Sequence, residues 1–454
     1  MISHDLVGPR MAGPGMRYWE LSRVLSRHLP VTLAAPEGSA SPDEEERIPV
    51  RVYARGDADA VQALVETHEI IVAPGDTLLE FPFLLGCDRY MVMDGYDPHT
   101  LESLAWNQGQ ELEQRVRNQR ERLHVVTMQC AVGDFFLCAS QRQWMLWLGW
   151  LEATGRVNPL TYDSDPSLRA LIDVVPTGIP ARPPRLTAPL VRDRIPGIGA
   201  DDAVLVWGGG IWNWLDPLTL IRAVGQVAAR VPRVRLYFPG PRHPYQGFVP
   251  DMEMRERAVQ VSDQLGLTGK HVFWGSWVPY QSRQNYLLEA DVGCSLHFET
   301  LETCFAFRTR ILDYVWAGLP MVVTRGDVAS EFVREYRLGE VVDYQDVGGV
   351  TEALVKLLSV PRETYAQRFD KARRGRSWER SAAPLLAYCQ APRHAPDKDR
   401  APDWQGIRHA AQQIAGLQQE VSRLQGVIEG YENGRFMRVM RWFANVRRRF
   451  GVGA

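Results

Sequence analysis

The sequence predicts an α/β protein of two doubly wound lobes, each a mostly parallel sheet covered by helices, with a helical tail behind them. Three observations carry this. Short apolar runs alternate with helical patterns through residues 13–390. A proline-rich break at 176–193 interrupts the alternation, which then restarts. Beyond a second proline-containing stretch, 392–402, the composition changes again.

The elements follow in order. Met1-Ile2-Ser3-His4-Asp5 reads as the end of a strand; either that strand is very short or translation begins upstream, and the second is preferred. A helix is expected from Gly13-Pro14-Gly15 to Leu25, and strands at 31–35, 69–73, 89–93, 135–139 and 171–175, with helices at 111–123 and 141–151. Unbroken apolar runs mark strands buried on both faces, as in parallel sheets. The tryptophans and leucines between 144 and 151 read as packing.

In the second half, strands are expected at 204–207, 234–238, 271–274 and 291–296, and helices at 217–229, 253–264, 280–290, 350–358 and 366–383. Residues 308–324 are the most informative stretch. Arg308 and Arg310 open a helix, Asp313 follows one turn later, Gly318 stops it, and Leu319-Pro320 leads into a buried strand. A helix start flanked by arginine favours phosphate, because free backbone N–H groups and the helix dipole both attract anions. An arginine for a diphosphate and a carboxylate for ribose hydroxyls would hold a nucleotide; the bland alternative is an Arg310–Asp313 surface pair. Four loops should converge on one cleft: Gly13-Pro14-Gly15, Asp94-Gly95-Tyr96-Asp97, Gly208-Gly209-Gly210 and 299–310. Neither glycine loop is a dinucleotide or Walker signature.

The domains are therefore expected at 1–178 and 179–391, with a linker at 392–403 and a helical tail at 404–454. Ile407, Ile414, Leu417, Val421, Leu424 and Ile428 form a short heptad seam, suited to a homodimer or to packing on its own domain. Residues 434–451 hold six arginines, no acid and several aromatics, the pattern of a cationic amphipathic helix on an anionic membrane; docking on an acidic patch is the alternative.

Composition sets outer limits. The 454 residues are 45% hydrophobic and 23% charged, with a formal net charge of −2, which gives no reason to expect nucleic acid as a partner. Six scattered cysteines without metal-ligand spacing argue for a reducing, cytoplasmic setting and against structural zinc. The Asp-x-Asp triplets at 57, 163 and 397 read as polar turns, so no metal and no cofactor are expected.

Several motifs in residues 204–358 carry a family resemblance. They are Gly208-Gly209-Gly210, Pro239-Gly240-Pro241, Val272-Phe273-Trp274-Gly275, Ala290-Asp291-Val292-Gly293 to Ser295, and Arg310-Ile311-Leu312-Asp313-Tyr314 with Ala317-Gly318-Leu319-Pro320. With Gly13–Leu25 and Val174-Pro176-Thr177-Gly178, they make the chain similar to GT-B glycosyltransferases, particularly the retaining family four. The resemblance implies two Rossmann-like domains facing a central cleft. It implies sugar transfer from a nucleotide-sugar to a glycan or lipid-linked glycan in cell-surface polysaccharide synthesis, peripheral to the inner face of the plasma membrane. Asp313 stands where the family holds the donor ribose, and Arg310 beside the diphosphate. Glu302 or Glu299 takes the place of the first acid, although strict spacing points to Phe305. The usual Arg and Lys after the glycine loop are absent; Trp212, Asn213, Trp214 and Asp216 stand there, leaving phosphate to Gly209, Gly210, Arg308 and Arg310, or to other handling of the donor. Asp94 falls near the reacting sugar, with Gly13, Gly15 and Trp212 on cleft loops; Asp94 and Glu302 are the catalytic candidates. The alternatives are a non-catalytic nucleotide-sugar-binding scaffold and a sugar-nucleotide epimerase of the same fold.

Overall fold

The computed structural model describes residues 1–43, 45–243, 252–398 and 423–424. The heptad seam 407–428, apart from its two described residues, and the cationic segment 434–451 lie outside them.

The first lobe contains β1 (Leu33–Pro36), β2 (Val50–Tyr53), β3 (Ile70–Ala73), β4 (Tyr90–Asp94), β5 (Phe135–Cys138) and β6 (Ile172–Val174). β1 pairs with β2, and β3 to β6 form a four-stranded sheet in sequence order, all parallel. Ile2 joins the two pieces: it bridges Ala34 and donates its N–H to Val72 O at 2.9 Å. The expected first strand is thus a single bridge between β1 and β3. β1 and β5 are buried along their whole length, as continuous apolar strands under helices must be.

The second lobe contains β7 (Ala203–Val206), β8 (Val234–Phe238), β9 (Val272–Trp274), β10 (Val292–Ser295), β11 (Met321–Thr324) and β12 (Gly339–Val342). Their order is β12-β11-β10-β7-β8-β9, all parallel. The order reverses between β7 and β10, so the loops after these two strands diverge and leave a crevice at their carboxyl ends. The helix after β7, Pro217–Arg230, is capped by Asp216, which accepts from the Thr219 N–H. Helix Arg310–Ala317 ends at Gly318, whose φ of +70° is the left-handed conformation glycine adopts without strain.

Two boundaries differ from expectation. Helices Trp378–Ser381 and Ala383–Gln390 pack on the first lobe, where Trp378, Leu385 and Tyr388 join Leu21, Val92, Phe135 and Val175 in one apolar cluster. The chain therefore returns to the first lobe before residue 391. Residues 392–398 are docked rather than a free linker: Asp397 is fully buried and pairs with Arg156, while Lys398 bonds Asp134 at 2.6 Å. The triplet at 397 is accordingly an anchor, because a buried carboxylate is tolerated only when paired and hydrogen-bonded. No helix among the described residues is long and apolar enough to cross a membrane.

The lobes also touch across the cleft. Gln143 donates to both Tyr96 O and Phe305 O, and Tyr280 donates to Glu20 at 2.6 Å. Phe305, the position strict family spacing selects for an acid, thus serves the lobe contact through its backbone.

Candidate active site

A cavity of about 980 Å³ lies between the lobes, lined by all four expected loops. Of the residues singled out in the sequence, Gly13, Asp94, Gly209, Gly210, Trp212, Arg308, Arg310 and Asp313 line it; Gly15, Glu299 and Glu302 do not. Gly15 faces inward, where a Cβ would meet Leu6 O at 2.2 Å, so it allows a loop to approach the helix closely. Glu299 is exposed to solvent on the loop after β10. Glu302 is buried behind the cavity wall, in a bidentate pair with Arg308 at 2.9 and 2.7 Å. Asp94 reaches the cavity, but both its oxygens are held by Arg17 at 2.8 and 2.9 Å.

The two arginines of 308–310 are in different electrostatic states. Arg308 has its charge met by Glu302. Beside it, burial and the Arg308 charge hold His297 neutral, with its pKa lowered to about 3. Arg310 has no carboxylate partner among the described residues. Its Nη2 donates to Gly210 O at 2.9 Å, its guanidinium sits 4.9 Å over the Trp207 ring, and its Nη1 is buried without a partner. Burial, against the opposing influence of Tyr314 and with Arg308 adding to it, pulls Arg310 down to about 10. A guanidinium so depressed gains from a nearby anion.

The bland alternative, an Arg310–Asp313 pair, does not form. Arg310 turns back over Trp207 to the glycine loop, and Asp313 accepts from Arg283 Nε at 3.1 Å instead. Tyr314 locks the loop to the helix: its hydroxyl accepts from the Gly208 N–H at 2.8 Å and donates to Cys294 O at 2.9 Å. Gly209, at φ +83°, then turns the chain past the helix start.

A profile of the family described as Glycosyl transferases group 1 matches residues 202–360, the span that holds this loop, Arg310 and Asp313. The chain has the GT-B fold, and its second lobe matches this glycosyltransferase family. Solved structures bear out the fold. Sucrose-phosphate synthase from Thermosynechococcus elongatus is 15% identical, with a TM-score of 0.64 over 86% of this chain and 97% of that one. Anabaena Alr3699/HepE, solved with UDP and glucose, is 15% identical, with a TM-score of 0.58 over 86% and 99%. WaaG, a glycosyltransferase involved in lipopolysaccharide biosynthesis, is 14% identical, with a TM-score of 0.54 over 86% and 98%. No curated protein matches.

The interlobe cleft also holds residues the sequence did not single out. Arg283, Asp97 and Glu102 line it. Burial raises Asp97 to about 6, with a hydrogen bond from Tyr96 opposing and Asp94 contributing. Burial also pushes Glu102 well up, followed by the nearby charges of Asp97 and Glu302. Asp97 ends a loop the sequence marks as converging on the cleft, and that was its available signal. Arg283 had none, since its partner lies thirty residues away. Among the described residues no three His, Cys, Asp or Glu side chains group closely enough to hold a metal ion.

Proposed function

We propose that the protein transfers a sugar from a nucleoside diphosphate sugar, with retention of configuration, to a glycan or lipid-linked glycan during cell-surface polysaccharide synthesis. One observation carries the reading: a half-buried arginine without a carboxylate, its Nη1 buried and unpartnered, at a helix start and beside a glycine loop, inside the interlobe cavity. Departure of a diphosphate concentrates negative charge there. In this reading Arg310, the N–H groups of Gly209 and Gly210 and the first turn of helix Arg310–Ala317 stabilise it. Arg308, its charge met by Glu302 behind the wall, borders the same site, and Asp313, steadied by Arg283, serves the ribose hydroxyls. Asp94 acts through Arg17, shaping the acceptor side of the cavity. WaaG's role in lipopolysaccharide synthesis supports a cell-surface product. The cationic sequence 434–451 supports a membrane-borne acceptor at the inner face of the plasma membrane.

The test is a binding panel of UDP-, GDP- and dTDP-sugars read by ligand-observed NMR. One nucleotide should bind the parent protein and lose its signal in Arg310→Ala. Unchanged binding in that variant sinks the assignment.

A further inference from the structure

Next to the glycine loop that Arg310 holds, the cavity wall is aromatic: a Cβ on Gly210 would meet the Trp212 ring nitrogen at 3.6 Å. Trp212 and Trp214 stack with ring centroids 5.5 Å apart and planes only 8° from parallel. Trp106 of the first lobe closes on both, at 5.6 and 6.2 Å. Three indoles from two lobes thus form one surface, and Trp106 and Trp212 keep part of their faces exposed to the cavity. Core packing alone would bury both rings.

Carboxylates border the same surface. Glu102 lies one helical turn before Trp106 in helix His99–Trp106, so acid and ring share a face, and Asp97 sits just ahead of that helix. The cations on this side of the cavity, Arg55 and Arg122, are paired with Glu80 and with Asp76 and Glu121. No ion pair is formed by Asp97 or Glu102 among the described contacts, and both retain their protons more strongly than exposed carboxylic acids do. A pyranose presents an apolar C–H face and a rim of hydroxyls. Stacked indoles suit the face, and carboxyl groups accept from hydroxyl or ammonium donors on the rim and, while protonated, donate to its oxygens. A phosphate over the Trp106 side of this surface would meet Asp97 and Glu102, while the neighbouring Arg55 and Arg122 are already paired.

We infer that the Trp106–Trp212–Trp214 surface, edged by Asp97 and Glu102, is the acceptor platform, and that it takes an uncharged or amine-bearing sugar ring and rejects a phosphorylated one. This rests on the donor reading above, in which Arg310 and the glycine loop hold the diphosphate.

Saturation-transfer NMR on the full chain with UDP present tests it, using the methyl glycosides of glucose and glucosamine against glucose 6-phosphate. Aromatic irradiation should reach the C–H protons of both glycosides, and glucose 6-phosphate should bind about tenfold more weakly. Trp212→Ala should abolish the glycoside signal, and Trp212→Phe, which keeps a ring, should retain most of it. Asp97→Asn with Glu102→Gln should narrow the gap to glucose 6-phosphate. Equal binding of the phosphorylated sugar, persistence of the signal in both Trp212→Ala and Trp106→Ala, or no transfer to any probe overturns the proposal. Failure of the donor reading looks different: UDP would bind Arg310→Ala as it binds the parent, whatever the glycosides do.

Discussion

Arg17 offers the sharpest test of how the acceptor side is held. Its Nε and Nη2 donate to the two oxygens of Asp94 at 2.8 and 2.9 Å, and its Nη1 donates to Val175 O at 2.8 Å. Both side chains are at most 1% exposed. The contact ties helix Gly13–Leu25 to the end of β4 and to the start of the crossover between lobes. Arg17→Met leaves a dry carboxylate without its partner, a cost of about 3–5 kcal/mol. It also orphans the Val175 carbonyl, for roughly 1 kcal/mol more. In a lobe of this size the sum lowers Tm by roughly 10–20 °C. Urea unfolding gives the free energy and calorimetry the temperature. Arg17→Met with Asp94→Leu removes both charges together and should recover most of the loss. Asp94→Asn should lose turnover only in step with stability, since both oxygens serve Arg17. A loss below about 1 kcal/mol in Arg17→Met would refute the burial argument. An Asp94→Asn protein of parental stability but no turnover would return Asp94 to the chemistry.

Three further outcomes are expected. Asp97 titrates at about 6 in the folded protein, above its unfolded value of roughly 3.9, so its contribution to stability is full below the unfolded value and is lost as pH rises through about 6; Tm measured between pH 4 and pH 7 should therefore fall less in Asp97→Asn than in the parent. Gly15→Ala should cost about 2 kcal/mol, because its Cβ would lie 2.2 Å from a backbone oxygen, whereas Gly149→Ala, with nothing within 4 Å and in a helix, should gain about 0.5–1 kcal/mol; denaturant titration of both checks the opposite signs. Deleting residues 431–454 should release the protein from anionic liposomes in a sedimentation assay, and undiminished binding would reject the membrane role of that segment.

The strands are largely legible in the sequence because parallel strands buried on both faces appear as unbroken apolar runs. β2 escapes for the same reason: Arg51 and Val52 are exposed at the sheet edge, so its run carries no such signal. Gly318 is legible because a left-handed helix stop all but demands glycine. Charged side chains are another matter, since their meaning lies in partners that sequence distance conceals. Asp397 looks like linker until Arg156 meets it from 241 residues away. Asp313 sits at ideal helical spacing from Arg310 yet bonds Arg283, and Arg310 reaches a carbonyl a hundred residues back. Pairing, once visible, discriminates among arginines that spacing leaves equivalent. Arg17, Arg283 and Arg308 each face a carboxylate, and their charge is balanced before any ligand arrives. Arg310 faces ring and carbonyl only, so its charge is balanced when an anion enters the cleft, which is why the donor test is placed on that residue.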